Sequence, residues 1–269
     1  MSDSLFSQTP LNAPAHPVNA LPGDPATGIL LLCDHASNAI PLEYRDLGLP
    51  RHELERHIGY DIGAQGMTEA MAERLGCPAL MTQFSRLLID PNRGEDDPTL
   101  VMRLSDGAIV PGNARVDRAE IERRIARFYR PYDEAIKQAL AASLAEGVRP
   151  VIISMHSFTP IWRGVPRPWH AGILWTNDGR LSHKLIDALR SDPALVVGDN
   201  EPYHGALTGD VIDRHALAHG YSNTLIEIRQ DLIAEPQTAR AWGIRLADVI
   251  KELLQDPIHR TDFRSSTGQ

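Results

Sequence analysis

Four short apolar runs constrain this chain more than any other feature: Ile29 to Cys33, Val151 to Met155, Ala171 to Trp175 and Thr224 to Ile228. Each is nearly unbroken rather than alternating, as in strands whose two faces are both covered by helices. Leu87 to Ile89 and Ala79 to Thr82 are shorter strand candidates. Amphipathic stretches lie between the runs. Met67, Met71 and Leu75 recur at helical spacing over about 61–75, and further helices are predicted over 180–190 and 237–255. The clearest helix begins at Val116, where Asp117 can cap, Glu120 can complete a capping box, and Val116 with Ile121 can form a hydrophobic staple. Ile121, Ile125, Phe128, Ile136 and Leu140 continue one apolar stripe, Pro131 should kink or divide the helix, and Gly147 stops it. Strands interleaved with helices make the fold class α/β.

Residues 1–27 are rich in Pro, Ala, Asn and Ser without apolar periodicity, which predicts an extended or disordered leader that carries no chemistry. Residues 28–269 then read as a single catalytic α/β domain. The Gly/Pro/Asp-rich stretch from Asn92 to Arg115 is too long for a simple connection and is expected to cover a substrate. With 35 acidic against 27 basic residues the net charge is −8, which argues against nucleic acid or an anionic membrane as the main partner. No apolar run approaches the roughly 20 residues that cross a bilayer, and the start lacks the pattern of a secretory signal, so a reducing, cytoplasmic setting is expected. Cys33 and Cys77 are too few for a disulfide framework and form no CxxC pair. A metal site would therefore draw on histidines and carboxylates.

Two of the runs end alike, ILLLC leading into Asp34-His35 and VIISM into His156-Ser157. Ligands of open α/β sheets bind beyond the carboxyl ends of the strands, so two imidazoles placed there can converge on one point. Two histidines, one carboxylate and an open position make a catalytic zinc site; the alternative is that each histidine only hydrogen-bonds a neighbouring loop. Asp61, in HIGYDIGA, is either the carboxylate ligand or the N-cap of the helix that follows it. Asn38, uncharged, and Glu43, past Pro41, compete less well, and Asp34 can orient an imidazole. The fourth run holds Glu227 among apolar neighbours, just before Arg229. Burying a carboxylate costs several kcal/mol, so Glu227 is either paired with an arginine or kept as a general base.

SRLLIDPNR gathers Arg86, Asp90, Asn92 and Arg93 around one short strand and its exit. Arginine's planar fork suits a substrate carboxylate or a developing oxyanion. Lys137, Lys184 and Lys251 are the only lysines, so arginine is this chain's default cation, and Asp90-Pro91-Asn92 equally suits a plain turn. No phosphate loop of the GxxxxGK[ST] type, no GxSxG elbow and no GxGxxG turn after a strand occurs.

Taken in order, DHASNAIP, HIGYDIGA, SRLLIDPNR, SMHS and LIEIRQDLI resemble the motif series of the N-formylglutamate amidohydrolase family, over about residues 29–234. That resemblance implies a three-layer α/β/α sandwich around a central mixed sheet, like that of zinc carboxypeptidases and aspartoacylase-like enzymes. It further implies one zinc ion held by His35, Asp61 and His156, with Glu227 activating water and Arg86 steadying the oxyanion. Asn92 and Arg93, and with them Arg229, would bind a small acidic N-acyl amino acid. The implied reaction is hydrolysis of N-formyl-L-glutamate to formate and L-glutamate, a cytoplasmic step of histidine degradation. The chain departs from the better-known members in reading His35-Ala36-Ser37 where they read His-Ser-Gly, and Asn38 stands where zinc carboxypeptidases have a glutamate. Alternatives are a deacylase or carboxypeptidase-like hydrolase of another N-acyl amino acid, or a non-catalytic protein that binds an acidic metabolite. Tyr203, His204 and His215 are further candidates to line the site.

Overall fold

All four long apolar runs are strands, because successive residues send side chains to opposite faces and both faces are buried. Leu30, Leu32 and Ile152 pack against one helical layer, Leu31, Ile153, Met155 and Ile226 against the other. The computed structural model describes residues 16–205 and 207–263, so residues 1–15 of the expected leader lie outside it. The later part of that leader joins the sheet, where Val18–Leu21 pairs antiparallel with Ala79–Thr82.

The sheet has seven strands in the order Val18–Leu21, Ala79–Thr82, Ile29–Cys33, Val151–Phe158, Ser222–Arg229, Ala171–Leu174 and Val197–Asp199. The run from Ala79–Thr82 to Ser222–Arg229 is parallel, and Ala171–Leu174 lies antiparallel to Ser222–Arg229, so the sheet is mixed. Helices Ala64–Leu75, Ser182–Arg190 and Pro236–Leu253 cover one face with Met67, Met71, Leu185, Leu189, Leu246 and Ile250. Arg130–Ala145 and Val211–His215 cover the other with Tyr132, Ile136, Leu140 and Ile212. The result is a three-layer α/β/α sandwich. No helix among the described residues is long and apolar enough to cross a membrane.

Four local expectations change. Leu87 to Ile89 is not a strand: the three side chains are fully buried in a separate apolar cluster with Phe84, Val110 and Phe128, and the Leu88 N–H closes a turn on Ser85 O. A buried turn and a short core strand share one pattern of apolar residues. Val151–Phe158 runs two residues past His156, which therefore lies within the strand, in parallel register with Glu227. Asp117 caps its helix by accepting the Glu120 N–H at 2.8 Å, yet the Glu120 carboxylate turns to Arg123 and Arg124 instead of closing the box. Pro131 neither breaks nor ends the helix. A π-turn over Ile125–Tyr129 carries the helix from Arg118–Arg124 into Arg130–Ala145, absorbing the missing proline N–H.

Candidate active site

Three neighbouring parallel strands bring the predicted residues together. His35 follows Ile29–Cys33, His156 sits in the next strand, and Glu227 in the one beyond it. Asp61 arrives from the turn before the helix Ala64–Leu75, tied to the first strand by its N–H on His35 O at 2.9 Å. The helix is capped by Gly63, whose φ of 80° and contact with Ile233 O leave no room for a Cβ. Asp61 gives only its carbonyl to the helix, to the Ala64 N–H, and its carboxylate stays free for the imidazoles.

Asp61 Oδ2 lies 2.8 Å from His156 Nδ1 and 3.5 Å from His35 Nδ1, and the two rings stand 5.0 Å apart. The far nitrogens are anchored as well. His35 Nε2 meets Asp90 Oδ1 at 2.7 Å. His156 Nε2 meets Ser154 Oγ at 3.0 Å, while Ser154 and Tyr132 both donate to the Asp34 carboxylate. With Nε2 of each ring held by these outer partners, both Nδ1 atoms face Asp61, which is how outer partners orient metal-binding histidines. Asp34 thus serves His156 rather than its sequence neighbour His35, because consecutive side chains diverge at the end of a strand.

Charge is crowded here. Asp34, Asp61, Asp90 and Glu227 are buried, and the last three lie around one half-buried guanidinium, that of Arg86. Burial would raise the Asp61 carboxyl, but the two imidazoles hold it well below the usual range. Burial would likewise raise Asp90, and Arg86 with His35 holds it down. His156 would be lowered by burial, yet Asp34 and Asp61 keep it well above an ordinary imidazole. A proton on His156 therefore helps to balance the acids. A divalent ion would do the same, and the His35, Asp61 and His156 ligand atoms all lie within 4.8 Å of one another. His35 Nδ1 is buried with no hydrogen-bond partner. This donor set, two imidazole nitrogens and a carboxylate, could hold a metal ion.

Glu227 makes no ion pair among the described residues, and its Oε2 is buried without a partner. Burial pushes its carboxyl up to about 7, His156 opposing the rise and Asp61 adding to it. Arg86 donates to Asp90 Oδ2 at 2.9 Å and lies 3.6 Å from Asp61 Oδ1, while its buried Nε–H is free of protein partners. Asp90 to Asn92 is a turn and part of the site at once. The Asn92 N–H closes on Asp90 Oδ1, and Asn92 Oδ1 accepts the Val211 N–H at 3.1 Å. Arg93 lines the cavity and pairs with no carboxylate among the described residues, its backbone carbonyl being held by Tyr129 and Arg214.

Two expected residues stay outside. Arg229 turns to Asp231 at 2.7 Å and to the carbonyls of Arg167, Pro168 and Trp169, so its donors are taken up away from the cavity. His215 pairs with Asp133 on the helical layer. Tyr203 and His204 do line the cavity, as do Met102, Ser105 and Asp106 from the stretch expected to cover it. His57 and Trp162, packed edge to face, also line it and were not singled out by sequence reasoning. His57 opens the HIGYDIGA motif, which could have flagged it. Trp162 stands in a short ribbon, Ile161–Trp162 with Val165–Pro166, that has no periodicity to read. The cavity measures about 520 Å³.

The profile of the N-formylglutamate amidohydrolase family matches residues 27–234. Among solved structures, a gene product of Agrobacterium tumefaciens is 33% identical, with a TM-score of 0.83 over 90% of this chain and 96% of that one. An N-formylglutamate amidohydrolase from Ralstonia eutropha shares the fold at 23% identity, with a TM-score of 0.65 over 88% of this chain and 98% of its own. No curated protein matches the sequence.

Proposed function

The chain belongs to the N-formylglutamate amidohydrolase family, and on that premise we propose that it is a zinc-dependent amidohydrolase that cleaves N-formyl-L-glutamate to formate and L-glutamate. One observation supports this above the others: of the six buried polar side-chain atoms without a partner among the described residues, four belong to residues that line one cavity, His35 Nδ1, His57 Nε2, Arg86 Nε and Glu227 Oε2. Buried polar atoms are rarely left unmatched, so their convergence suits a ligand and a reaction.

His35, Asp61 and His156 would hold the ion, which when bound supplies Lewis acidity and favours ionisation of water at neutral pH. Glu227 takes a proton from the attacking water as the water oxygen bonds to the formyl carbon. The carbonyl electron pair moves onto its oxygen, where the free Nε–H of Arg86 donates to the developing charge. When the C–N bond breaks, Glu227 returns the proton to the leaving amine, giving formate and glutamate. Arg93 and Asn92 hold a carboxylate of the substrate, Arg93 having no internal acid to compete for it. Residues 28–269 act as one catalytic domain in this reading, and a cytoplasmic place in histidine degradation goes with the substrate.

The cavity volume favours one second reading, a deacylase for acyl groups larger than formyl, since about 520 Å³ lies in the range of sites for drug-sized ligands. Formate and glutamate release from N-formyl-L-glutamate by the zinc-loaded protein, run beside N-acetyl and longer N-acyl glutamates, tests both. Turnover confined to the longer acyl groups supports the second reading. No turnover on any of them removes both.

A further inference from the structure

We propose that the cavity has a second carboxylate subsite on the side away from Arg93, in which Tyr203 donates its hydroxyl to the substrate and Arg167 supplies the positive charge behind it. This rests on the amidohydrolase reading above and extends it to a substrate with two carboxylates.

Arg167 is the observation that asks for an anion. It is 8% exposed, and among the described residues it pairs with no carboxylate. The other equally buried guanidinium, Arg124 at 2%, has Glu120 at 2.9 Å and donates to Leu88 O and Asn113 Oδ1. So little exposed a cation gains from a counter-ion, and here the donors that have no protein partner face solvent rather than lie sealed in the core. Arg167 instead lies against the rings of Tyr203, Trp162 and Phe158, at 4.9, 5.2 and 5.8 Å. Only its Nη1 has partners, namely Thr159 O, Thr159 Oγ1 and the Tyr203 hydroxyl at 3.1 Å. Nε and Nη2 bond to no protein group among the described residues.

The hydroxyl of Tyr203 accepts from Arg167, so its own proton remains to be given elsewhere. Tyr203 and Trp162 line the cavity. Tyr203 is 42% exposed; its partial burial, with the charge of Glu227 adding to it, pushes the phenol up, and the hydroxyl stays a donor through neutral pH. Topology puts this group opposite Arg93. Arg93 follows Asp90, the partner of His35, on one side of the three central strands, while Tyr203 follows Val197–Asp199 at the far edge beyond Glu227. A dicarboxylate lying across His156 and Glu227 would meet Arg93 at one end and the Tyr203–Arg167 pair at the other.

The test uses the metal-loaded wild type, Tyr203→Phe, Arg167→Met and the double variant. kcat/KM is measured on N-formyl-L-glutamate and on N-formyl-L-glutamine, which keeps the α-carboxylate but is uncharged at the side-chain carboxylate assigned to this subsite, with calorimetric affinity for L-glutamate and L-glutamine alongside. Each single variant should lose about ten- to hundredfold on the glutamate compounds, through KM, and leave the glutamine compounds unchanged. The double variant should be no worse than the weaker single, because both substitutions remove one interaction. Equal losses on glutamate and glutamine, or losses that add in the double variant, overturn the subsite. If Arg167→Met does not fold, Tyr203→Phe decides alone. A wild type that cleaves no N-acyl amino acid defeats the amidohydrolase reading, whereas the subsite is then judged on binding: a glutamate preference abolished by Tyr203→Phe upholds it, and no such preference in the wild type overturns it.

Discussion

The floor and the mouth of the cavity are built on different principles. On the floor, His35, His156 and Glu227 stand on adjacent strands, and each imidazole has its far nitrogen held by a carboxylate or a serine. The mouth is made of the ribbons around Leu104–Ile109 and Ile161–Pro166 together with Tyr203, His204 and Leu207, and Leu104, Ile109, Ile161, Val165 and Leu207 are all more than half exposed. A strand fixes a side chain through a ladder of backbone bonds and packing on both faces, while a two-residue ribbon does so through little besides itself. Chemistry that needs sub-ångström placement sits on the first kind of support, and contacts that select substrates sit on the second.

The largest expected effect lies on the floor. Glu227→Gln keeps the shape and removes the proton acceptor, so kcat should fall by about a hundred- to ten-thousandfold at unchanged metal content. Activity within a few-fold of wild type would break the distinction between floor and mouth. Next is Asp90→Asn, which loosens the hold on both His35 and Arg86. Metal affinity, read by competition with a chelator, should weaken about ten- to hundredfold. An unchanged affinity would mean that the ring of His35 is held by packing alone.

A pH profile sharpens the comparison further. Glu227 accepts a proton only as a carboxylate, so kcat/KM should fall as pH drops through an apparent pKa of about 7. A bound cation favours the carboxylate and moves that limb to lower pH. A rate constant still rising as the solution is acidified below that limb would remove Glu227 from the role of base. The smallest effect belongs to the mouth. Ile161→Ser and Ile109→Ser, at exposed positions, should change stability by no more than about 0.5 kcal/mol in denaturant titration and alter KM rather than kcat. A collapse of kcat in either would show that the mouth shapes the floor.

The same division governs what could be read in advance. His35, His156 and Glu227 stand out because buried strands rarely end in or contain such residues, and Arg86, Asn92 and Arg93 because they crowd one short segment, SRLLIDPNR. Asp61 was ambiguous between ligand and cap until Gly63 took the cap. The pairing of Asp34 with His156 and of Asp90 with His35 was not legible, since it depends on which way each side chain leaves the backbone after its strand. Arg229 was misjudged because its competitor, Asp231, is exposed and reads as surface. Trp162 and Arg167 were out of reach, and Tyr203 was legible only as a candidate to line the site: the contacts among the three cross between ribbons and loops, where no periodicity records who faces whom.

The central claim is that His35, Asp61 and His156 share one divalent ion through the two Nδ1 atoms. Crystals of the zinc-loaded protein, with anomalous scattering measured on both sides of the zinc edge, test it most directly. The account predicts a single anomalous peak bonded to His35 Nδ1, His156 Nδ1 and an Asp61 oxygen, beside Glu227. A peak bonded to the Nε2 atoms or lying elsewhere, or full amidohydrolase activity with no metal in that position, would contradict it.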